Sequence, residues 1–219
     1  MRIAVISGLE YEIDVLEEMM GDFLEDEICG TRMSQGILSG HTVFAVLSGL
    51  GKVPAAMATQ AAICEYMPDL VINIGLAGGC SANLRKKDAV IAGKLVYHDA
   101  GPDGPSFKCD PGMTALAAQV VQEAGLRFQQ GTVATGDRFI DRAELRRDIV
   151  ERTGCLCVDR SACAVAEVCA KNAVPFLSVK IISDTADEDA GGEYAYSVVE
   201  YSELSARIIR RICSSIRVS

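Results

Sequence analysis

Basic residues are in short supply in this chain: 21 Lys and Arg stand against 30 Asp and Glu, giving a net charge of −9 over 219 residues. That deficit argues against nucleic acid as a partner, because no basic stripe is left to neutralise phosphates. The one basic run, Arg142 to Arg152, is interleaved with Asp141, Glu144, Asp148 and Glu151 and reads as a solvated helix face. Histidine is scarcer still, and two residues give a metal site few ligands to draw on. No apolar run reaches the roughly 20 residues that cross a bilayer. Glu10 and Glu12 interrupt the N-terminal segment where a signal peptide needs an unbroken apolar stretch. A cytoplasmic protein without membrane contact, metal or other cofactor is therefore expected. Repeats, linkers and low-complexity stretches are also missing, so residues 1–219 are expected to form one domain.

Cysteine, by contrast, is plentiful. The nine residues are odd in number, and only Cys155-Leu-Cys157 sets two close together, at a separation unlike a zinc knuckle. Cys64, Cys163, Cys169 and Cys213 fall within apolar helical patterns, where free cysteine behaves as a small hydrophobe. Reduced thiols are expected.

Hydrophobic periodicity alternates between strand and helix along the chain. Strands are predicted at 2–7, 29–40, 41–48, 69–74, 89–97, 131–135, 156–159 and from Pro175 to Asp184. Helices are predicted at 10–20, 51–66, 112–126, 142–153, 162–172 and 193–216. The fold class that follows is α/β, a single domain with a mixed, largely parallel central sheet flanked by helices. The last helix carries more apolar positions (Val198, Val199, Leu204, Ile208, Ile209, Ile212, Ile216) than one stripe needs and reads as a core helix.

Several strand ends carry candidate chemistry. The run from Val174 to Asp184 is nearly continuous in apolar residues, as a strand buried on both faces is, and it ends on Ser183-Asp184. A carboxylate there sits where open α/β sheets build their sites, although Asp after a strand also serves as a cap. Glu10 and Glu12 follow the first strand; two residues apart, they cannot share a helical face, so at most one points into a cleft. Helix-dipole stabilisation explains them equally well. Ser48-Gly-Leu-Gly-Lys-Val53 lacks the Walker spacing and the three-glycine dinucleotide pattern. Gly75-Leu-Ala-Gly-Gly79 permits close backbone approach or merely a tight turn. In Thr135-Gly-Asp-Arg-Phe-Ile140, Phe139 offers a face for a flat ring and the Ile140 backbone a partner for its edge. Together these loops favour a cleft for an uncharged, aromatic small molecule.

Seven segments in register carry a family resemblance: Ile3-Ala-Val-Ile-Ser-Gly-Leu-Glu-Tyr-Glu12, Ser48-Gly-Leu-Gly-Lys-Val-Pro-Ala-Ala56, Ile72-Asn-Ile-Gly-Leu-Ala-Gly-Gly79, Tyr97-His-Asp-Ala100, Thr135 to Ile140, Val158 to Cys169, and Val174 to Asp187. The chain resembles the methylthioadenosine/S-adenosylhomocysteine nucleosidases of the nucleoside phosphorylase-I superfamily. The resemblance implies hydrolysis of the N-glycosidic bond of a purine nucleoside, with Asp184 donating a proton toward N7 and Glu12 activating water. It also implies a substrate-binding set of Leu9, Leu76, Phe139, Ile140, Arg160, Ser161, Lys180, Ser183 and Tyr194, in which Ser183 orients Asp184. It further implies a homodimer.

Val158-Asp159-Arg160-Ser161 stands where the nucleosidases carry Val-Glu-Met-Glu, so the bidentate carboxylate for the ribose hydroxyls is replaced by Ser161. Lys180 and Leu76 replace the family's Arg and Ser, and the dimer segment is shortened to residues 101–105. Two readings follow: an altered sugar or 5′ substituent, with Arg160 placed to meet an acidic one, or the ordinary methylthioadenosine/adenosylhomocysteine activity at reduced efficiency. Phosphorolysis, and nucleoside binding without turnover, are the alternatives.

Overall fold

The computed structural model of the chain describes residues 1–101 and 103–216. Its elements are β1 (Arg2–Ser7), α1 (Glu10–Met20), β2 (Phe23–Ile28), β3 (Thr31–Leu38), β4 (His41–Leu47), α2 (Lys52–Tyr66), β5 (Leu70–Gly79) and β6 (Ala89–Tyr97). They continue with β7 (Ser106–Lys108), α3 (Pro111–Glu123), β8 (Phe128–Thr135), α4 (Ala143–Thr153), β9 (Cys157–Asp159), α5 (Ala162–Lys171), β10 (Phe176–Asp184) and α6 (Ala190–Ser215). Pro102, within the loop expected to be shortened, lies outside the described residues.

The expected α/β class holds, with a mixed central sheet flanked by helices. Two parallel blocks build it: β4-β1-β5-β10 and β6-β8-β9. Antiparallel pairings of β10 with β6 and of β5 with β9 join the blocks, so β5, β10, β6, β8 and β9 close into a ring. Closure explains β10: paired on both sides and covered on both faces, it buries all nine of its residues, and an apolar run is the sequence that tolerates this. Helices α1, α3 and α6 cover one face through Ile13, Leu16, Val120, Ile208 and Ile212, while α2 and α5 cover the other through Ala55, Ala58, Ala62 and Val165.

Three expectations about elements change. The strand expected at 29–40 shortens to Thr31–Leu38, because Cys29 and Gly30 (both at positive φ) turn the chain between β2 and β3. Strand β2 went unpredicted because it buries almost nothing. It is an edge strand carrying Glu25, Asp26 and Glu27, charges that discourage further strand addition. Strand β5 does not stop at Ile74 but runs through Gly75–Gly79, because β10 continues to pair with it as far as Gly78.

Among the described residues no helix is long and apolar enough to cross a membrane. The nine cysteines are free thiols, six of them buried.

Candidate active site

The carboxyl ends of β1, β5, β8, β9 and β10 meet at one end of the closed sheet. There they surround a cavity of about 320 Å³, a volume suited to a small ligand. Leu9, Leu76, Phe139, Ile140, Arg160, Ser161, Lys180, Ser183, Asp184 and Tyr194 all line it. Glu12 lies just behind. It occupies the inward side of the first turn of α1 and is fully buried, whereas Glu10, two residues earlier, faces solvent beside Arg32.

Glycines on β5 set the spacing of the charged groups. Gly75 has a φ of +151°, and a Cβ there would come within 3.2 Å of Lys180 Nζ and 3.9 Å of Glu12 Oε2. Both side chains thus approach the backbone where only hydrogen stands. At Gly78 a Cβ would lie 2.9 Å from Asp184 Oδ1 and 2.9 Å from Ala186 Cβ. The glycines of this segment therefore serve close approach within a strand, not a turn.

The three buried carboxylates differ in environment. Glu12 accepts a short hydrogen bond from Ser7 Oγ, and its Oε1 has no protein partner among the described residues. Burial pushes its pKa up to about 6, against the lowering effect of the Ser7 and Ser205 hydroxyls and the Lys180 charge. Asp184 takes Ser183 Oγ at 2.7 Å on Oδ2 and the Ala186 N–H at 2.9 Å on Oδ1. Burial still prevails over these bonds and raises its pKa.

Asp159 goes the other way. Its Oδ2 meets Lys180 Nζ at 2.9 Å, accepts from the Ala162 N–H at 2.9 Å and from the Ser161 N–H at 3.2 Å, and Thr135 Oγ1 donates to Oδ1. Burial opposes ionisation here too, but the Lys180 charge and these hydrogen bonds outweigh it and hold the carboxyl below its usual range.

Asp159 is therefore the largest omission from the sequence reading, which noted it only as a departure from a family motif. It caps the N-terminus of α5 and neutralises Lys180, so neither charge of the pair is free for a ligand. The signal was available: Asp159 ends a strand as Asp184 does. Ser7, which holds Glu12, and Arg138, which lines the cavity, were also missed.

Ser161 sits between Asp159 Oδ2 (3.3 Å from its Oγ) and Asn73 Nδ2 (3.5 Å). The Phe139 and Tyr194 rings, which also line the cavity, meet edge-on at 6.0 Å and form an aromatic wall. Among the described residues no group of three or more His, Cys, Asp or Glu is placed to hold a metal ion.

Comparison with known proteins agrees with this geometry. The family model of the phosphorylase superfamily matches residues 2–214. A 5′-methylthioadenosine/S-adenosylhomocysteine nucleosidase of Actinobacillus succinogenes is 36% identical over 207 residues, covering 87% of this chain and 89% of that protein. An S-adenosylhomocysteine nucleosidase of Streptococcus pyogenes, solved with 5-methylthiotubericidin, superposes with a TM-score of 0.95 at 28% identity, over 100% of this chain and 98% of that one. The Neisseria meningitidis 5′-methylthioadenosine/S-adenosylhomocysteine nucleosidase, in complex with methylthio-immucillin-A, superposes at 0.93 with 30% identity, over 98% and 99% of the two chains. With these matches running nearly end to end, the chain belongs to the phosphorylase superfamily and, within it, to the 5′-methylthioadenosine/S-adenosylhomocysteine nucleosidases.

Proposed function

We propose that this chain, acting as one domain, hydrolyses the N-glycosidic bond of an adenine nucleoside with Asp184 as general acid and Glu12 as general base. The observation that carries the reading is the pair of carboxylates, both raised by burial, one lining the cavity and the other just behind its wall at Gly75. Gly75 marks one carboxylate and Gly78 the other; three residues of strand separate them by roughly 10 Å. A sugar and its attacking water fit between.

The chemistry follows from charge. A purine leaves poorly as an anion, so the bond breaks once a proton is offered toward N7 of the base. Asp184, whose pKa burial raises and which Ser183 orients, offers it. Phe139 and Tyr194 stack or abut the base, and the Ile140 backbone meets its edge. The sugar develops oxocarbenium character, and water attacks its anomeric carbon. Glu12, with Oε1 unpartnered, takes the proton from that water.

Water is favoured over phosphate as the nucleophile because, at the place beside Glu12 where the nucleophile stands, Lys180 is already neutralised by Asp159 and an ionised Glu12 repels an anion. Incubating the purified protein with 5′-methylthioadenosine should release adenine at a rate independent of added phosphate. Asp184→Asn and Glu12→Gln should each lower that rate by about 10²- to 10⁴-fold. Full activity in either variant would overturn the assignment of roles.

We also propose a cytoplasmic homodimer. Exposed Leu50, Val53 and Met57 lie together where α2 begins, beside the cavity rim, and an apolar patch there suits a second copy of the chain.

A further inference from the structure

Two cations of the cavity have no fixed partner. Lys180 pairs with Asp159 and also stands near Glu12, and Asp184 is held toward its neutral form. Two arginines that line the cavity are then left over, Arg138 at its exposed mouth and Arg160 half-buried within it. Neither makes a hydrogen bond or ion pair to any described residue. Exposed arginines such as Arg85, Arg142 and Arg147 are also without an ion pair, but the other half-buried ones, Arg32 and Arg146, are tied to carboxylates, which sets Arg160 apart.

Leaving these two unpaired has a physical cost in this place. The walls beside them are apolar, formed by Leu9, Leu50, Leu76, Phe139 and Val158. A neutral ligand filling such a cavity strips water from the Arg160 guanidinium and returns no hydrogen bond. An oxyanion returns two, because a carboxylate or phosphate matches the guanidinium fork. The base end of the cavity is already assigned by Asp184 and the aromatic wall. Arg160, next to Ser161 and Asp159, belongs to the sugar end.

We propose that the substrate is a purine nucleoside carrying an anionic group, carboxylate or phosphate, on its sugar, bound by Arg160 with Arg138 guarding the mouth. This deepens the nucleosidase reading and rests on it for the identity of the base. The chain departs from the nucleosidase motif at position 160, where Arg160 stands in place of Met, and a guanidinium leaves a neutral 5′ substituent unmatched.

Adenine release would be compared for 5′-methylthioadenosine, adenosine 5′-carboxylic acid and adenosine 5′-monophosphate, in the unaltered protein and in Arg160→Met and Arg138→Ala. Binding of the same three compounds would be measured by calorimetry. The anionic nucleosides should bind and react at least about 10-fold better than the neutral one, and the carboxylate and phosphate arms identify which oxyanion is preferred. Arg160→Met should lower the anionic-to-neutral ratio by about 10- to 100-fold, and raised salt should erode it as well. A ratio unchanged in Arg160→Met, or a preference of the unaltered protein for methylthioadenosine, would overturn the proposal. Adenine release without anionic preference sinks this inference alone. Absence of release from every compound sinks the nucleosidase reading, and the calorimetric ratio then decides the anion site independently.

Discussion

Glu12 and Asp184 are both raised by burial, yet their proposed work needs opposite protonation states. Glu12 as a base must be ionised, so kcat/KM for adenine release should fall as pH drops through about 6. Asp184 as an acid must be protonated, so the rate should fall again as pH rises through its elevated pKa. A pH profile lacking the acid limb would remove Glu12 from the mechanism.

The same burial has a stability consequence. A carboxyl whose folded pKa is raised binds its proton more firmly when folded, so stability is lost as pH rises from the ordinary value of 4.5 to about 6. That rise corresponds to about 2 kcal/mol. Glu12→Gln carries no charge to desolvate and should therefore be the more stable protein by about 2 kcal/mol at pH 8, with no advantage at pH 4. Urea unfolding at the two pH values checks both halves. Spacing alone left Glu10 and Glu12 as alternatives, one facing inward at most, and only the family resemblance singled out Glu12. Which one turns inward depends on how α1 docks against β1 and α6, and local spacing does not contain that information.

At the scale of elements, the site depends on how strands approach one another. Gly78 on β5 packs directly against Asp184 on β10, so a methyl group there has nowhere to go without moving the carboxylate. Gly78→Ala also crowds Ala186 and Val158 and should lose at least about 10-fold in kcat/KM through misplacement of the acid. Circular dichroism and the adenine assay separate the two effects, and undiminished activity would show that β10 yields freely.

Strands β9 and β10 are joined by the buried Asp159–Lys180 pair, with each side chain at most 2% exposed. Lys180→Met alone strands a carboxylate and should cost about 3–5 kcal/mol. The double change Asp159→Asn with Lys180→Met should cost less than the sum of the two single changes.

Strand β10 was legible because burial on both faces writes an apolar run. The ring closure that gives it two neighbours was not, because pairings between β10 and β6 or β5 and β9 join distant segments and leave no periodic trace. The position of Asp159 at a strand end was legible, but its role was not. Its worth lies in Lys180 and the α5 N-terminus, partners that only the fold brings to it.

The whole molecule presents its cavity beside an apolar surface. On α2, Val53 and Met57 are one helical turn apart on the same face, at 66% and 57% exposure, and Leu50 at 50% lies between them and the cavity it lines. Large apolar groups clustered beside a functional cleft are unfavourable in water and favourable in an interface. The proposed dimer therefore buries this patch and braces the Leu50 wall. Light scattering should give a mass of two chains, and Val53→Glu with Met57→Glu should give one, because two carboxylates cannot be buried against their symmetry mates without partners. Because Leu50 belongs to both surfaces, the monomeric variant should also bind nucleoside more weakly. A monomeric unaltered protein, or a monomeric variant with unchanged KM, would separate the patch from the site.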